Sequence, residues 1–172
     1  MSLRNIAIIG GGSLGSALAV NLSKKQQIHL VVRSAADADV MLRTRSHPRY
    51  LPEARIPDAV TVSTDLAAAL KDADLVLIAT PVSAFAEVLG NIAAIRKDLP
   101  VIWGCKGFCP HTGEPLSVLA GQTLGKDACY GVLSGPSFAE GLVANDPTAL
   151  VVATNADYNR TLEIAEALSN DT

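Results

Sequence analysis

The sequence is poor in charged and aromatic residues. Charged side chains make up 18% of the 172 residues and aromatic side chains 4%, whereas hydrophobic residues make up 49%. Disordered chains combine low hydrophobicity with high charge, so this composition excludes them. The longest apolar runs contain five residues, such as those at 75–79 and 149–153, and a membrane-spanning helix needs about 20. The sequence therefore predicts one folded domain with no membrane insertion.

Basic clusters and a secretion signal are also missing. Fourteen Lys and Arg residues against 17 Asp and Glu residues give a net charge of −3, and no basic block is longer than Lys24–Lys25. Nucleic-acid-binding domains carry a basic patch, so we expect a small-molecule partner and no nucleic acid. The N-terminus leads directly into the apolar residues 6–9, without the long apolar region of a signal peptide. We therefore expect a cytoplasmic protein.

Cysteine is scarce. The three cysteines, at 105, 109 and 129, are an odd number and too few for a secreted disulfide scaffold. They are expected to be reduced thiols. Cys105, Cys109 and His111 are close in sequence, but a zinc site typically draws a second Cys or His pair from elsewhere in the chain. We predict no metal site.

Short β-branched runs alternate with longer stretches rich in Ala and Leu, which is typical of βαβ units around a parallel sheet. The predicted strands are residues 5–9, 28–32, 60–63, 75–79, 101–104, 130–134 and 149–154. The predicted helices are residues 13–23, 35–45, 65–70, 83–95, 115–124, 137–143 and 157–168. Strand 75–79 is apolar at every position, as expected where helices cover both faces of a sheet. The predicted fold class is α/β: a doubly wound, Rossmann-type, mainly parallel sheet, whose last strand, after Pro147, is a candidate for antiparallel pairing.

A glycine motif lies between the first predicted strand and the first predicted helix. Gly10, Gly12 and Gly15 fill the pattern G-x-G-x-x-G. In dinucleotide-binding folds these glycines allow a tight turn, a close approach of the backbone to the pyrophosphate, and close packing of helix on strand. The following helix would present free N–H groups to the phosphates. We predict dinucleotide binding, with a purely structural glycine turn as the alternative.

Arg33 and Ser34 follow the second predicted strand, about 20 residues after the glycines, where NAD-specific sites carry Asp or Glu. A cation and a hydroxyl suit the 2′-phosphate of NADP. The cofactor is therefore predicted to be NADP or NAD, with NADPH favoured. The alternative is that Arg33 is a solvated surface residue.

Two later segments follow predicted strands at the edge where open α/β sheets bind ligands: Trp-Gly-Cys-Lys-Gly at 103–107 and Leu-Ser-Gly-Pro-Ser-Phe-Ala at 133–139. Pro81, after the fourth strand, is expected to bring the next loop over the cofactor. Lys106 stands beside glycines and can bring its ammonium group to a ketone oxygen or a phosphate. Ser137 is predicted to begin a helix and to bind an anion there. The alternatives are a solvated loop lysine at 106 and a simple helix N-cap at 137.

A nucleophile elbow of the α/β-hydrolase type is excluded, because in those enzymes the histidine follows the serine. All three histidines of this chain, at 29, 47 and 111, precede Ser137.

Together with Pro-Arg-Tyr-Leu-Pro at 48–52 and Ile-Pro at 56–57, these motifs resemble the N-terminal cofactor domain of bacterial NAD(P)-dependent glycerol-3-phosphate dehydrogenases. The resemblance covers essentially the whole chain. It implies reduction of dihydroxyacetone phosphate to sn-glycerol 3-phosphate, which feeds glycerophospholipid synthesis. It also implies cofactor contacts at Ser13, Leu14, Arg33, Ser34, Tyr50, Lys106 and Ala139, and substrate contacts at Lys106, Gly135 and Ser137, with Lys106 as the catalytic residue of this domain. The alternative for Tyr50 is a packing role in a Leu-Pro turn.

The chain also departs from the family pattern. Leu14 stands where an aromatic residue is usual, Gly141 where Glu is common, and Val82-Ser83 differs from the usual residues after the proline. In the family, the proton-donating lysine belongs to a helical C-terminal domain that these 172 residues do not contain. The isolated chain is therefore expected to be inactive, and apolar surface left uncovered would favour a homodimer. Two alternatives remain open: the cofactor domain of a related two-domain NADP-dependent reductase of a small keto or imino substrate, and a non-catalytic NAD(P)-sensing module.

Overall fold

The computed structural model describes residues 3–47, 49–135, 139–144 and 146–169. Seven strands form one sheet in the order β3-β2-β1-β4-β5-β6-β7. The strands are β1 (Asn5–Ile9), β2 (Gln27–Val31), β3 (Thr61–Ser63), β4 (Leu75–Ile78), β5 (Val101–Trp103), β6 (Tyr130–Ser134) and β7 (Val151–Thr154). All neighbouring pairs are parallel except β6 and β7, which run antiparallel. The predicted fold class, including the antiparallel last strand, is confirmed.

Within the described residues, seven α-helices connect or follow the strands. They are α1 (Ser13–Leu22), α2 (Ala35–Thr44), α3 (Leu66–Lys71), α4 (Phe85–Ile95), α5 (Leu116–Leu124), α6 (Ala139–Ala144) and α7 (Tyr158–Ala167). Most boundaries lie within one or two residues of those predicted. The helix predicted to begin at Ser83 instead starts with a 3₁₀ turn, Val82–Ala84, after Pro81. Within the described ranges, none of these helices is long and apolar enough to cross a bilayer.

Helices cover both faces of the sheet, and the strand sequences show why. Along β1, Ile6 and Ile8 point into a core shared with α1, α2, α6 and α7, whereas Ala7 and Ile9 point into a core shared with α3, α4 and α5. A strand buried on both faces has no polar side, so it is apolar at every position. The two cores hold the carboxyl ends of the strands in fixed positions, where the loops of the candidate site begin.

Candidate nucleotide-binding site

The strand order reverses at β1, which pairs with β2 on one side and β4 on the other. Open α/β sheets bind ligands at such a switch point, outside the carboxyl ends of the strands. Gly10 follows β1 there with a φ of 114°, and its N–H donates to Val31 O at 2.9 Å. A Cβ on Gly10 would lie 2.8 Å from Ala79 O at the end of β4. Gly10 therefore makes a turn that both its backbone angle and its neighbours restrict to glycine.

Gly15 lies in the first turn of α1 and is buried. A Cβ at this position would overlap Gly10 O, and it would stand 3.2 Å from the Cβ of Ala79. The third glycine of the motif thus lets α1 pack directly on the turn that follows β1. This is the packing role that the motif predicted from sequence alone.

Gly12 has a different environment from the other two glycines. Apart from its two chain neighbours, a Cβ built on Gly12 meets no atom of the described residues within 4 Å. Gly12 is the N-cap of α1, with no side-chain cap and no acidic residue in the first turn, and Ser13 beside it is exposed. In contrast, the carboxylate of Asp65 caps α3 by accepting from Ala68 N at 2.9 Å. The N-terminus of α1 therefore offers free N–H groups and the positive end of its dipole in open space, which suits a pyrophosphate.

Arg33 and Ser34 follow β2 after one intervening residue, Val32, and lie beside this turn. Arg33 is exposed, and within the described part of the chain no carboxylate lies at ion-pair distance from it. Ser34 is the N-cap of α2, and its Oγ accepts from Asp37 N at 3.2 Å. The Ser34 oxygen thus accepts a hydrogen bond at the N-terminus of α2, and its O–H can still donate a hydrogen bond to a ligand. Both residues are placed where a group on the adenosine ribose would be bound in this fold.

Tyr50 and Pro81 lie on two other loops. The Tyr50 ring is 43% exposed, and its centroid lies 4.6 Å from that of the His47 ring. The guanidinium carbon of Arg49 is 5.4 Å from the Tyr50 centroid. Pro81 is exposed after β4 and precedes the 3₁₀ turn that leads into α4.

Lys106 and Gly135 line one small cavity of about 60 Å³, together with Leu14 from the first turn of α1 and Gly104 after β5. A Cβ on Gly104 would lie 2.8 Å from Leu14 Cδ2, so this glycine lets the β5 loop approach α1. Lys106 is exposed and has no ion pair to the residues that the structure describes. The fold therefore brings together predicted cofactor and substrate residues from the start of α1 and from the loops after β5 and β6.

Gly135 also has a packing role. A Cβ on it would overlap Ala149 O and lie 3.0 Å from Leu150 Cδ2, so only glycine fits between β6 and the segment before β7. Ala139, a predicted cofactor contact, begins α6 and packs against the core on the α1 side. Ser137 lies outside the described residues.

Three features of this region were not predicted. Ser134 and Leu150 also line the 60 Å³ cavity. Ser134 could have been predicted from the sequence, because it ends a strand at the edge of the sheet where ligands bind. Asn21 of α1 is only 8% exposed and donates from Nδ2 to Leu142 O of α6 at 2.9 Å, which ties the helix after the glycine loop to the helix after Gly135. A larger cavity, of about 710 Å³, lies between α5, β6 and β7 and contains none of the predicted site residues.

The cysteine nearest the site is protonated at neutral pH. Burial raises the pKa of the Cys105 thiol to about 11. Within the described ranges there is no group of three or more His, Cys, Asp or Glu side chains that could hold a metal ion.

Comparisons with known proteins agree with this geometry. Residues 5–160 match the family model described as NAD-dependent glycerol-3-phosphate dehydrogenase N-terminus. A glycerol-3-phosphate dehydrogenase [NAD(P)+] of Dechloromonas aromatica is 39% identical over 150 residues, which are 87% of this chain and 46% of that protein. One of Xanthomonas oryzae pv. oryzae is 40% identical over 153 residues, or 88% of this chain and 45% of that protein. The chain thus spans about half the length of these curated relatives.

The solved structures give the same result. The crystal structure of glycerol-3-phosphate dehydrogenase from Coxiella burnetii superposes with a TM-score of 0.90 at 32% identity, covering 98% of this chain and 52% of that one. The resemblance predicted from the motifs is confirmed, and the family and the curated relatives carry names that state a dehydrogenase using NAD or NADP. The chain belongs to the family of NAD-dependent glycerol-3-phosphate dehydrogenases, of which it matches the N-terminal part.

Proposed function

We propose that these residues form the nucleotide-binding half of an enzyme that interconverts dihydroxyacetone phosphate and sn-glycerol 3-phosphate with NAD(P)H. The single observation that supports this best is the open N-terminus of α1. Gly10 and Gly15 are closed in by backbone atoms, whereas a Cβ on Gly12 would meet no atom of the described residues within 4 Å, apart from its chain neighbours. A turn that served the fold alone would not need glycine at this position. A pyrophosphate that lies against the backbone at this position would account for the glycine.

We propose NADPH as the preferred nucleotide. Arg33 is exposed at the end of β2, and a guanidinium group binds a phosphate through two parallel hydrogen bonds. NADH lacks the 2′-phosphate, so it would lose this contact. The proposed cofactor contacts are those predicted from the sequence: Gly10, Gly12, Ser13, Leu14, Gly15, Arg33, Ser34, Tyr50, Pro81, Lys106 and Ala139.

The substrate side of the proposed site is the cavity beside Lys106, with Gly135 and Ser137 as further contacts. Bound NAD(P)H would supply the hydride for the ketone. As the ketone is reduced, negative charge develops on its oxygen, and an ammonium group held at that oxygen stabilises the transition state. We assign this role to Lys106, which is free of ion pairs to the described residues. The Leu14, Leu133 and Leu150 side chains around the cavity would exclude water from the reacting atoms.

Several broader expectations stay part of this proposal. Proton delivery is assigned to a lysine of a helical C-terminal domain outside these 172 residues. The location is proposed to be cytoplasmic, the assembly a homodimer, and the product a precursor for glycerophospholipids. A sensing module would bind the same nucleotide without turnover, so catalysis by a protein that includes both domains decides between the two functions.

Calorimetric titration of the 172-residue chain with NADPH and NADH tests the nucleotide part. We expect NADPH to bind, and the Arg33→Ala variant to weaken NADPH binding by about tenfold while changing NADH binding little, because a charge-assisted hydrogen bond contributes about 1.5–3 kcal/mol. Arg43→Ala is the matched control, since Arg43 is an exposed α2 arginine paired with Asp39 at 2.9 Å. Equal loss of NADPH and NADH affinity in Arg33→Ala would remove the 2′-phosphate assignment. Binding of neither nucleotide by the unmodified chain would refute the proposed nucleotide site.

A further inference from the structure

We propose that Arg45 is a positioning residue for nucleotide binding. Its guanidinium group fixes the α2–β3 segment, defined as residues 46–47 and 49–60, so that the Tyr50 ring is positioned to contact the adenosine side of the nucleotide. Arg45 itself does not contact the nucleotide. This inference rests on the proposed function, because Tyr50 has a ligand only if the chain binds a nicotinamide nucleotide.

Arg45 joins the two ends of the segment. Its Nε donates to Ile56 O at 3.2 Å, and its Nη2 donates to Val60 O at 3.2 Å and to Pro57 O. The backbone closes the same loop, since Ile56 N donates to Arg45 O at 2.6 Å. The Arg45 side chain is only 15% exposed, although it also lies 3.3 Å from the exposed carboxylate of Asp58. The guanidinium is therefore a structural link between carbonyl groups and is not available to a ligand.

The backbone of Arg45 is also unusual. Its φ is 52°, and it is the only non-glycine residue of the described chain with a positive φ. A non-glycine residue keeps a left-handed backbone conformation where the surrounding structure fixes it. Here the contacts of the Arg45 guanidinium group with backbone carbonyls do so. The same residue caps α2 by donating its N–H to Met41 O at 2.9 Å.

The segment packs behind the glycine loop. Its residues Leu51, Ala54 and Ile56 are buried in the core that also contains Ile8 of β1. The sulfur of Met41 in the same core lies 3.9 Å from the Cβ position of Gly11. The segment therefore packs into the same core as β1 and Met41 of α2, and Met41 lies next to the turn where the pyrophosphate is proposed to bind.

Tyr50 is the residue of the α2–β3 segment that we propose to contact the nucleotide. Its ring stays 43% exposed although the next residue, Leu51, is buried. One neighbour of the ring is His47, whose O accepts from Leu51 N at 3.0 Å, and another is Arg49. A flat, partly exposed ring on a closed loop suits stacking against an adenine. If the loop were loose, binding would include the entropic cost of ordering it, and affinity would fall.

The test measures nucleotide affinity by calorimetry in the unmodified chain and in Arg45→Ala, Arg45→Lys, Tyr50→Ala and the Arg45→Ala/Tyr50→Ala double variant. We expect Arg45→Ala to weaken NADPH and adenosine 2′,5′-bisphosphate by the same factor, roughly tenfold, because only the adenosine side is affected. Arg45→Lys should restore part of the affinity, since an ammonium group reaches fewer carbonyls. The double variant should bind no more weakly than Tyr50→Ala, because Arg45 acts through Tyr50.

Arg96 offers a matched control on the other face of the sheet. Its Nη1 donates to Leu70 O at 3.2 Å and Lys71 O at 3.0 Å, and its Nη2 pairs with Asp98 at 2.7 Å. Arg96→Ala should lower the melting temperature without changing nucleotide affinity. An Arg96→Ala variant that weakens NADPH as much as Arg45→Ala would show that Arg45 acts only through general stability.

Other outcomes distinguish failure of this inference from failure of the proposed nucleotide-binding function. If circular dichroism shows that Arg45→Ala does not fold, Arg45→Lys carries the test, and unchanged affinity in it overturns the inference. Additive losses in the double variant overturn it as well. If the unmodified chain binds NADPH and every Arg45 variant binds equally well, the inference fails and the proposed function stands. If the unmodified chain binds neither NADPH nor NADH, the proposed nucleotide site fails and this inference fails with it.

Discussion

Substitution of two glycines by alanine, one at a time, should separate folding from nucleotide binding. In Gly15→Ala the new methyl group would overlap Gly10 O, a backbone atom that cannot rotate away. Overpacking of this kind costs about 1–3 kcal/mol, and the upper value applies because backbone must move. For a chain of this length, each kcal/mol lowers Tm by roughly 2–4 °C. Gly15→Ala should therefore melt about 6–12 °C below the unmodified chain.

Gly12→Ala should behave in the opposite way. Gly12 has a φ of −71° and a ψ of −169°, which alanine adopts without strain, and the added Cβ would lie more than 4 Å from the described residues other than its chain neighbours. Loss of unfolded-chain entropy favours the variant by about 0.4–1 kcal/mol, while alanine is a poorer N-cap than glycine, so the net change should stay within about 1 kcal/mol. The methyl group would occupy the space of the pyrophosphate. A clash of about 2 kcal/mol corresponds to roughly 30-fold weaker NADPH binding.

Thermal unfolding followed by circular dichroism and calorimetric titration with NADPH check both variants. The titration is run at a temperature where Gly15→Ala is folded. The reasoning would be refuted by a Gly12→Ala variant that binds NADPH as well as the unmodified chain, or by one that loses as much stability as Gly15→Ala.

Further substitutions test individual side chains. Asn21→Ala leaves a buried carbonyl of α6 without its donor, so the free energy of unfolding in urea should fall by about 1–3 kcal/mol; an unchanged value would mean that water replaces the amide. Burial lowers the pKa of His29 below its ordinary value of 6.5, so the unfolded chain binds more protons than the folded chain. The stability that neutral His29 contributes is therefore present above pH 6.5 and is lost as the pH falls through the folded pKa. His29→Gln should therefore flatten the decline of Tm between about pH 7 and 5, and equal slopes would contradict this. With a pKa of about 11, Cys105 should be alkylated by iodoacetamide at a rate that still rises above pH 10; a plateau near pH 9 would show a more exposed thiol. Lys106→Ala should change the free energy of unfolding by less than roughly 0.5 kcal/mol, because exposed side chains contribute little. It should lower kcat/KM at least about tenfold in a protein that includes the second domain; unchanged kinetics would remove Lys106 from the site.

The glycine loop shows how far local sequence carries a prediction. The three glycines are within six residues of one another, and the motif describes what each does to the neighbouring backbone. The structure separates their roles as the motif implies: a positive φ at Gly10, open space at Gly12 and helix packing at Gly15. Strand and helix positions were also predictable, because their hydrophobic patterns are local. The 3₁₀ turn at 82–84 was missed because it shares the composition of the helix it precedes.

Gly135 shows where local sequence stops. It was predicted as a substrate contact, but the structure adds a packing reason, since a Cβ would overlap Ala149 O. That neighbour is 14 residues away and gives no signal in the motif itself. Arg45 was missed for the same reason, because contacts from a guanidinium to backbone carbonyls place no demand on the residue types that supply those carbonyls.

The sequence by itself determined the fold class and the family, and it supplied the residues proposed for the candidate site, because periodicity, turn chemistry and ordered motifs occur in short stretches of chain. Only the tertiary structure decided which of those residues meet. Leu14 and Lys106 are 92 positions apart, yet they line one cavity because β1 and β5 flank β4 in one parallel sheet and present their carboxyl ends at the same edge. It also decided that Arg45 donates hydrogen bonds to carbonyl groups of the α2–β3 segment and that Asn21 donates one to α6. Such contacts depend on the three-dimensional path of the backbone, and that path is fixed only when the two cores on either side of the sheet are packed.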